Sequence, residues 1–245
     1  MSAPKQATGD DPLVLIGASA VCSLGLSLAE TMVAVHAGCR RLEHDEAYPS
    51  AADGHATRLA KLTVLDDALP PWQRVAALGS DTIRQAHAVL SEQYPTLVTD
   101  VADLPVLMSL PPSRPSLDDE TVGIIAGTMA QALPAQSSLT GYCQHAHTGF
   151  IDLLAQAEEL LREGKARACL VVGADSGIDL DYVHWLETLT RLKSPSQPFG
   201  FSPGEGAACC VVTLASVLAD EGASAAPDAA TDAATSDTAD QGVPL

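Results

Sequence analysis

The sequence predicts an α/β protein with a mixed, mostly parallel five-stranded sheet covered by helices on both faces. Short apolar runs such as ACLVV (residues 168–172) are partly β-branched and typical of strands buried on both faces. Between such runs lie longer segments with helical spacing, for example Ile151, Leu154, Ala157 and Leu161. Because strands and helices alternate, the sheet is expected to be largely parallel, in one domain over residues 13–218.

Five segments are predicted as strands. The first begins at Leu13 and ends in a small-residue loop that reaches Gly25. The second predicted strand ends at a pair of prolines, and a turn rich in Gly and Pro precedes the last predicted strand. By resemblance to the family named below, the last strand should run antiparallel to its neighbour. The segments lie within residues 13–25, 104–110, 137–141, 168–172 and 204–212.

Five helices are predicted between and around these strands. Residues 116–134 are ambiguous, because VGIIAGT alone reads as a strand. Ser116 as a cap, acids in the first turn and the spacing of Val122, Ile125 and Met129 favour a helix. Pro71 suits a first helical turn. The predicted helices lie within residues 26–38, 71–90, 116–134, 150–164 and 180–192.

The remaining segments are predicted to be irregular. Residues 40–69 have little periodicity and are expected to form a surface excursion with a short strand near Leu62. Residues 1–12 are polar and expected to be frayed. Residues 219–245 form an acidic, Ala-rich tail without aromatic residues, which predicts disorder.

Composition limits the classes of function. The net charge of −18 argues against nucleic-acid binding, which needs clustered Lys and Arg. The six Cys form no CxxC pair, so neither a zinc site nor a disulfide framework is expected. The chain lacks a GxGxxG loop, and no cofactor is expected. The absence of a signal-peptide pattern and of a long apolar run predicts a cytoplasmic protein of bacterial type, without membrane contact.

Two segments, VVGADS and GFSPGEGAACCVV, together resemble the thiolase superfamily, and within it the β-ketoacyl synthases. The first predicted strand and its loop, IGASAVCSLG, resemble the first segment of synthases, because Gly17 and Gly25 stand where that segment has glycines. The residues that carry the two motifs are Gly173, Asp175, Pro203, Gly204, Glu205 and Gly206. Glu205 is expected to be a turn residue that hydrogen-bonds the backbone rather than a general acid. The resemblance implies a thiolase-like fold and covers most of residues 13–218.

The resemblance also implies what is missing. A synthase is a duplicated fold in which a buried helix follows the nucleophilic cysteine. Its second half carries two histidines that stabilise the oxyanion and assist decarboxylation. This chain matches the first half, and nothing after Leu218 is expected to supply those histidines.

The candidate catalytic residues lie in the turn YCQHAHTG. Counting back from Gly164 by the spacing found in synthases reaches His147 rather than a cysteine. Cys143 lies four residues earlier, with His145 and His147 close in sequence. A helix N-terminus or a neighbouring base can activate such a thiol. The alternative is a turn rebuilt after catalysis was lost, with His147 capping the helix or facing solvent.

These observations leave three hypotheses. The first is a catalytically degenerate synthase-like pseudoenzyme that acts as a binding or assembly partner, linked to bacterial type VI secretion. The second is an acyltransferase that forms an acyl-thioester at Cys143 together with a separate C-terminal half. The third is a truncated piece of a longer synthase. The expected partners are a second copy paired through residues 137–141, an acyl carrier protein or a secretion-system component.

Overall fold

A computed structural model describes residues 11–52, 54–99 and 104–224. This part of the chain contains seven strands and seven α-helices. The strands are β1 (Leu13–Cys22), β2 (Glu43–Pro49), β3 (Ala56–Leu59), β4 (Leu104–Ser109), β5 (Ser137–Cys143), β6 (Cys169–Ser176) and β7 (Glu205–Leu214). The helices are α1 (Leu28–His36), α2 (Pro71–Gln93), α3 (Thr96–Thr99), α4 (Asp119–Gln131), α5 (Gly149–Arg162), α6 (Leu180–Thr188) and α7 (Ala215–Ser224).

The main sheet has five strands in the order β1-β7-β6-β4-β5. β4 pairs in parallel with both β5 and β6, whereas β7 pairs antiparallel with both β6 and β1. Four strands therefore run in one direction and β7 alone runs against them. This topology confirms the predicted mixed, mostly parallel sheet and the antiparallel last strand.

Helices cover both faces of the sheet. α2 packs across β1, β6 and β7 on one face and also contacts α4, while α5 packs on β4, β6 and β7 on the other. Successive residues of a strand point to opposite faces, and β4 shows this directly. Val106 and Met108 belong to the core on the α2 side, whereas Leu107 belongs to the smaller core under α5. All six residues of β4 are buried, as expected of a central strand.

The helix chosen for the ambiguous segment is confirmed as α4, which buries Val122, Ile125 and Met129. Its predicted cap is wrong. The side chain of Asp118 caps it by accepting a hydrogen bond from the backbone N–H of Thr121 at 2.8 Å. Ser116 cannot take this role because it lies two residues earlier in a left-handed turn, with φ 64°.

The segment 40–69 is also more regular than predicted. Instead of a strand near Leu62, it contains the two-stranded antiparallel sheet of β2 and β3. The charged sequence of β2, EHDEAYP, lacks the apolar alternation that reveals a half-buried strand. Lys61 lies 2.5 Å from Asp45 of β2 and joins the end of this hairpin to its first strand.

The ends of the predicted domain differ from expectation in two respects. The prediction that residues 11 and 12 are frayed is wrong, because the Asp11 carboxylate accepts hydrogen bonds from Ser216 and the Pro12 carbonyl oxygen accepts one from Ala215 N–H. After β7 the chain forms α7, which passes residue 218 and continues to Ser224. The expectations for residues 1–10 and for the tail 225–245 lie outside the described residues. Within the described part of the chain, none of the helices is both long enough and apolar enough to span a bilayer.

Candidate functional site

A cleft of about 790 Å³ opens at one edge of the main sheet. Its floor includes Ser109 at the carboxyl end of β4, Gly173 near the end of β6, and the first turn of α5. Ligands of open α/β sheets bind at the carboxyl ends of the parallel strands. Four aromatic side chains form much of the wall: Phe150, Tyr182, Trp185 and Phe201.

A short 3-10 turn, Ala146–Thr148, carries the chain from β5 into α5 beside this cleft. Ala146 has a positive φ of 51°, a conformation uncommon for a residue other than Gly and often found at functional turns. His147 follows it and lines the cleft. The position that the family resemblance aligns with the nucleophile is therefore occupied by a histidine that lines the cleft.

Gly149, the first residue of α5, lets three elements approach closely. A Cβ atom at this position would stand 2.6 Å from Ser109 Oγ and 2.9 Å from Cys143 Sγ. Both distances are far below a van der Waals contact, so only Gly fits without a rotation of the Ser109 and Cys143 side chains. The ends of β4 and β5 are in register here, with Ser109 opposite Cys143.

Cys143 lies beneath the turn rather than on the cleft wall. Its Sγ is 3.5 Å from the carbonyl oxygen of Gly149, in hydrogen-bonding position. The side chain is half-buried and packs with the apolar cluster under α5, which includes Leu107 and Leu153. The thiol is therefore directed toward the helix and not toward the cleft.

His145 faces solvent on the other side of the turn. Its Nδ1 lies 2.8 Å from a carboxylate oxygen of Asp152, and both side chains are more than half exposed. It is not among the residues that line the cleft. The structure thus separates the three candidates, since only His147 reaches the cleft.

The VVGADS motif ends at the cleft with an ion pair. Asp175 lies 2.6 Å from an Nη atom of Arg114, and the same guanidinium donates to the carbonyl oxygen of Ser176. Arg114 also lies over the ring of Tyr182, 4.3 Å from its centre. Burial raises the pKa of Tyr182, which the positive charge of Arg114 opposes. A Cβ at Gly173 would stand 3.7 Å from Phe150, an ordinary contact.

The carboxylate of Glu205, in the PGEG motif, is wholly buried. It accepts two hydrogen bonds from Arg74, one from Ser176 Oγ and one from the backbone N–H of Leu62. Burial alone would lower the pKa of Arg74, but the hydrogen bonds and negative charge of Glu205 raise it above its ordinary value. Glu205 is held within this network and does not line the cleft.

The other residues of the motif fix the turn. The carbonyl oxygen of Pro203 accepts from Ala60 N–H, and that of Gly204 accepts from Gly177 N–H. A Cβ at Gly206 would stand 2.9 Å from the carbonyl oxygen of Val21, so the backbones of β1 and β7 require Gly there. Together these contacts tie the 60–62 segment to the edge of the sheet.

Sequence reasoning missed three polar residues of the cleft: Ser109, Arg114 and Arg191. Ser109 and Arg114 flank the proline-rich end of the second strand, a weak signal for a site at the carboxyl edge of a sheet. Arg191 had no such signal. Within the described residues, no group of three or more His, Cys, Asp or Glu side chains is close enough to hold a metal ion.

No protein-family model matches the sequence, and no curated protein matches it significantly. Solved structures do match. One is a type II PKS ketosynthase bound to the hexaketide and in complex with its acyl-carrier protein. It shares 15% identity at a TM-score of 0.68, over 86% of this chain and 60% of that chain. The ishigamide ketosynthase/chain length factor shares 18% identity at a TM-score of 0.56, over 83% of this chain and 62% of that chain.

A third match is the ketosynthase from module 6 of the bacillaene synthase of Bacillus subtilis 168. It shares 14% identity at a TM-score of 0.63, over 86% of this chain and 41% of that chain. The chain thus spans about two fifths to three fifths of the length of these proteins. At such identities the similarity shows the fold, which is the thiolase-like fold of the ketosynthases.

Proposed function

We propose that this chain, which has a ketosynthase fold, is a binding or assembly protein without condensing activity of its own. One observation carries the proposal: the turn from β5 to α5 presents His147 to the cleft, while Cys143 Sγ packs below it against Gly149. Condensation begins with attack by a thiolate on an acyl-thioester, with the reacting atoms about 3–3.5 Å apart. A thiol directed into the apolar cluster under α5 does not meet that requirement.

The outer face of α5 supports the same proposal. In the synthases the corresponding helix is buried, as the resemblance implies. Here Asp152, Gln156 and Glu159 are exposed on α5, with Ile151 as the one large apolar side chain exposed beside them, while Leu153, Ala157 and Leu161 face the sheet. A helix with one polar face suits contact with water or a polar partner. This polarity favours a binding protein over a truncated synthase, in which an apolar surface of the second half would have to cover α5.

Two surfaces could serve assembly. β5 is an edge strand of the described sheet, and Tyr142 on it is exposed. Unpaired edge strands can join a strand of another chain. None of the residues of α1 is buried, and Met32, Val33 and Val35 are exposed apolar residues. We propose a homodimer through β5, with α1 available to an acyl carrier protein or a secretion-system component.

Cysteine reactivity tests the absence of an acyl-enzyme step. The protein is incubated with hexanoyl thioester of N-acetylcysteamine, and adducts are measured by intact mass. In parallel, iodoacetamide labelling is followed for each cysteine near neutral pH. We expect no acyl adduct and slow labelling of Cys143. Cys39, the exposed thiol, is the fast control, and buried Cys169, whose pKa burial raises to about 12, is the slow one.

Rapid labelling of Cys143 that the thioester prevents, with an adduct lost in Cys143→Ser, would overturn this proposal. It would establish the acyltransferase alternative, with Cys143 as the acylated residue. The assembly proposal is tested separately by light scattering at micromolar concentration. A monomer there would contradict pairing through β5.

A further inference from the structure

Ser109 is a buried polar residue in the cleft with an unused hydroxyl. Only 8% of the residue is exposed, and it lies at the carboxyl end of β4. Among the residues that the structure describes, its Oγ has no hydrogen-bond partner. The Oγ atom is not among the fully buried, unpartnered polar atoms of the described residues, so it is open to the cleft that Ser109 lines. A ligand in the cleft can therefore reach this hydroxyl.

The hydroxyl lies beside the first turn of a long helix. α5 has 14 residues, and its capping residue, Thr148, makes no side-chain capping bond because its hydroxyl donates to the His145 carbonyl oxygen. Cβ atoms of a helix tilt toward its N-terminus. Because a Cβ on Gly149 would stand 2.6 Å from Ser109 Oγ, the hydroxyl lies at the N-terminal end of α5. This end carries the positive pole of the helix dipole and favours anions.

The charges on the cleft wall also favour an anion. Arg114 and Arg191 line it, and Asp175 is the one acid among its described lining residues. Asp175 is already paired with Arg114, whereas Arg191 forms no ion pair with any described residue and lies over the ring of Phe201 at 5.9 Å. The chain as a whole carries a net charge of −18, so this concentration of cations is local to the cleft.

The rest of the wall is apolar. Phe150, Tyr182, Trp185 and Phe201 line the same cleft, whose volume of about 790 Å³ suits a small molecule. Aromatic side chains contribute a large apolar surface to such sites. A ligand that fits both parts of the wall therefore has an anionic group and an apolar body.

We propose that the cleft binds an amphiphilic oxyanion. Its carboxylate or phosphate oxygens accept a hydrogen bond from Ser109 at the N-terminus of α5 and interact with Arg191. Its apolar body packs against the four aromatic side chains. This inference goes beyond the assembly role, since it assigns a small-molecule ligand to the cleft.

Ligand-observed NMR with the full chain tests this site. Four probes are compared: hexanoate, hexyl phosphate, hexanamide and inorganic phosphate. We expect hexanoate or hexyl phosphate to bind, inorganic phosphate to compete, and hexanamide to bind at least about tenfold more weakly, since hydrogen bonds to charged groups are the stronger ones. The difference between hexanoate and hexyl phosphate identifies the anionic group.

Two substitutions connect binding to the site. Ser109→Ala and Arg191→Gln should each weaken binding of the preferred probe about tenfold. The matched controls are Ser91→Ala, whose hydroxyl donates to the His87 carbonyl oxygen on α2, and Lys165→Gln, whose exposed ammonium pairs with Glu163. Neither control residue lines the cleft, and both variants should bind as the original chain does. Circular dichroism verifies that each variant is folded.

Three results would overturn the inference. They are equal binding of hexanamide and hexanoate, binding that neither Ser109→Ala nor Arg191→Gln weakens, and no binding of any probe at millimolar concentration. The readout is independent of acylation and of oligomeric state. Failure here therefore leaves the assembly proposal standing, and a covalent adduct at Cys143 would leave the anion site standing.

Discussion

Two arginine–carboxylate pairs lie at the same edge of the sheet and have the same closest distance. Arg74 and Glu205 approach to 2.6 Å, and so do Arg114 and Asp175. Their surroundings differ. Both arginine side chains are buried, but the Glu205 carboxylate is 0% exposed, whereas the Asp175 carboxylate is 56% exposed. The distance between two charges thus says little about their contribution to stability, which depends on how much water surrounds them.

Strand alternation produces the difference. Asp175 and Ser176 are neighbours at the end of β6, and their side chains point to opposite faces. Ser176 points inward and donates to Glu205 across the ladder that joins β6 to β7. Asp175 points outward, where Arg114 reaches it from the loop after β4. One motif therefore contributes to a buried network and to the wall of an open cleft.

The largest effect is expected from Glu205→Gln. This change leaves the Arg74 guanidinium buried without its counter-ion. Removing one partner of a buried pair costs about 3–5 kcal/mol in the free energy of unfolding. Thermal unfolding followed by circular dichroism should show a midpoint lowered by roughly 10 °C for a chain of this size. A shift of less than about 2 °C would mean that water reaches the pair.

A smaller effect is expected when both charges are removed. Arg74→Met combined with Glu205→Gln leaves no buried charge and keeps an amide oxygen that can accept from Leu62 N–H. We expect the double variant to be more stable than Glu205→Gln alone, with a coupling energy of about 1–3 kcal/mol. Urea unfolding of the two single variants and the double variant measures this coupling. Additive losses would show that the two side chains act independently.

The smallest effect is expected from Asp175→Asn. Water reaches the Asp175 carboxylate, and the Arg114 guanidinium, whose side chain is 5% exposed, keeps its hydrogen bond to the Ser176 carbonyl oxygen and its place over the Tyr182 ring. The loss in the free energy of unfolding should therefore stay at about 1 kcal/mol, below that of Glu205→Gln. This small effect should shrink further in about 1 M salt, whereas the loss in Glu205→Gln should persist. Urea unfolding at low and high salt makes the comparison. A loss at Asp175 as large as that at Glu205 would show that exposure does not separate the two pairs.

Much of the fold could be predicted because its signals are local. The apolar runs that become β4 and β6 and the helical spacing in α5 are visible within about a dozen residues. The choice of helix for α4 depended on Val122, Ile125 and Met129, and all three are buried. The hairpin of β2 and β3 was missed because β2 is charged and carries no apolar period, and β3 has only four residues, although it buries Leu59 in a small cluster with Val183 and Leu186 of α6.

The candidate site was predicted less well, because side-chain direction at a turn is not a local property. The sequence grouped Cys143, His145 and His147 by proximity along the chain. The tertiary structure directs the first under α5, pairs the second with Asp152 and leaves only the third in the cleft. The role of Gly149 also appears only once β4 brings Ser109 beside it.

The sequence by itself therefore determined the fold class, the strands and helices of the main sheet, and the motifs at its edge. Tertiary structure alone decided which charges are buried and which face the cleft. Arg74 and Glu205 are separated by 131 positions in the chain, yet they form one ion pair. Periodicity and propensity act over a few residues, whereas the energy of a charge depends on groups that distant segments bring around it.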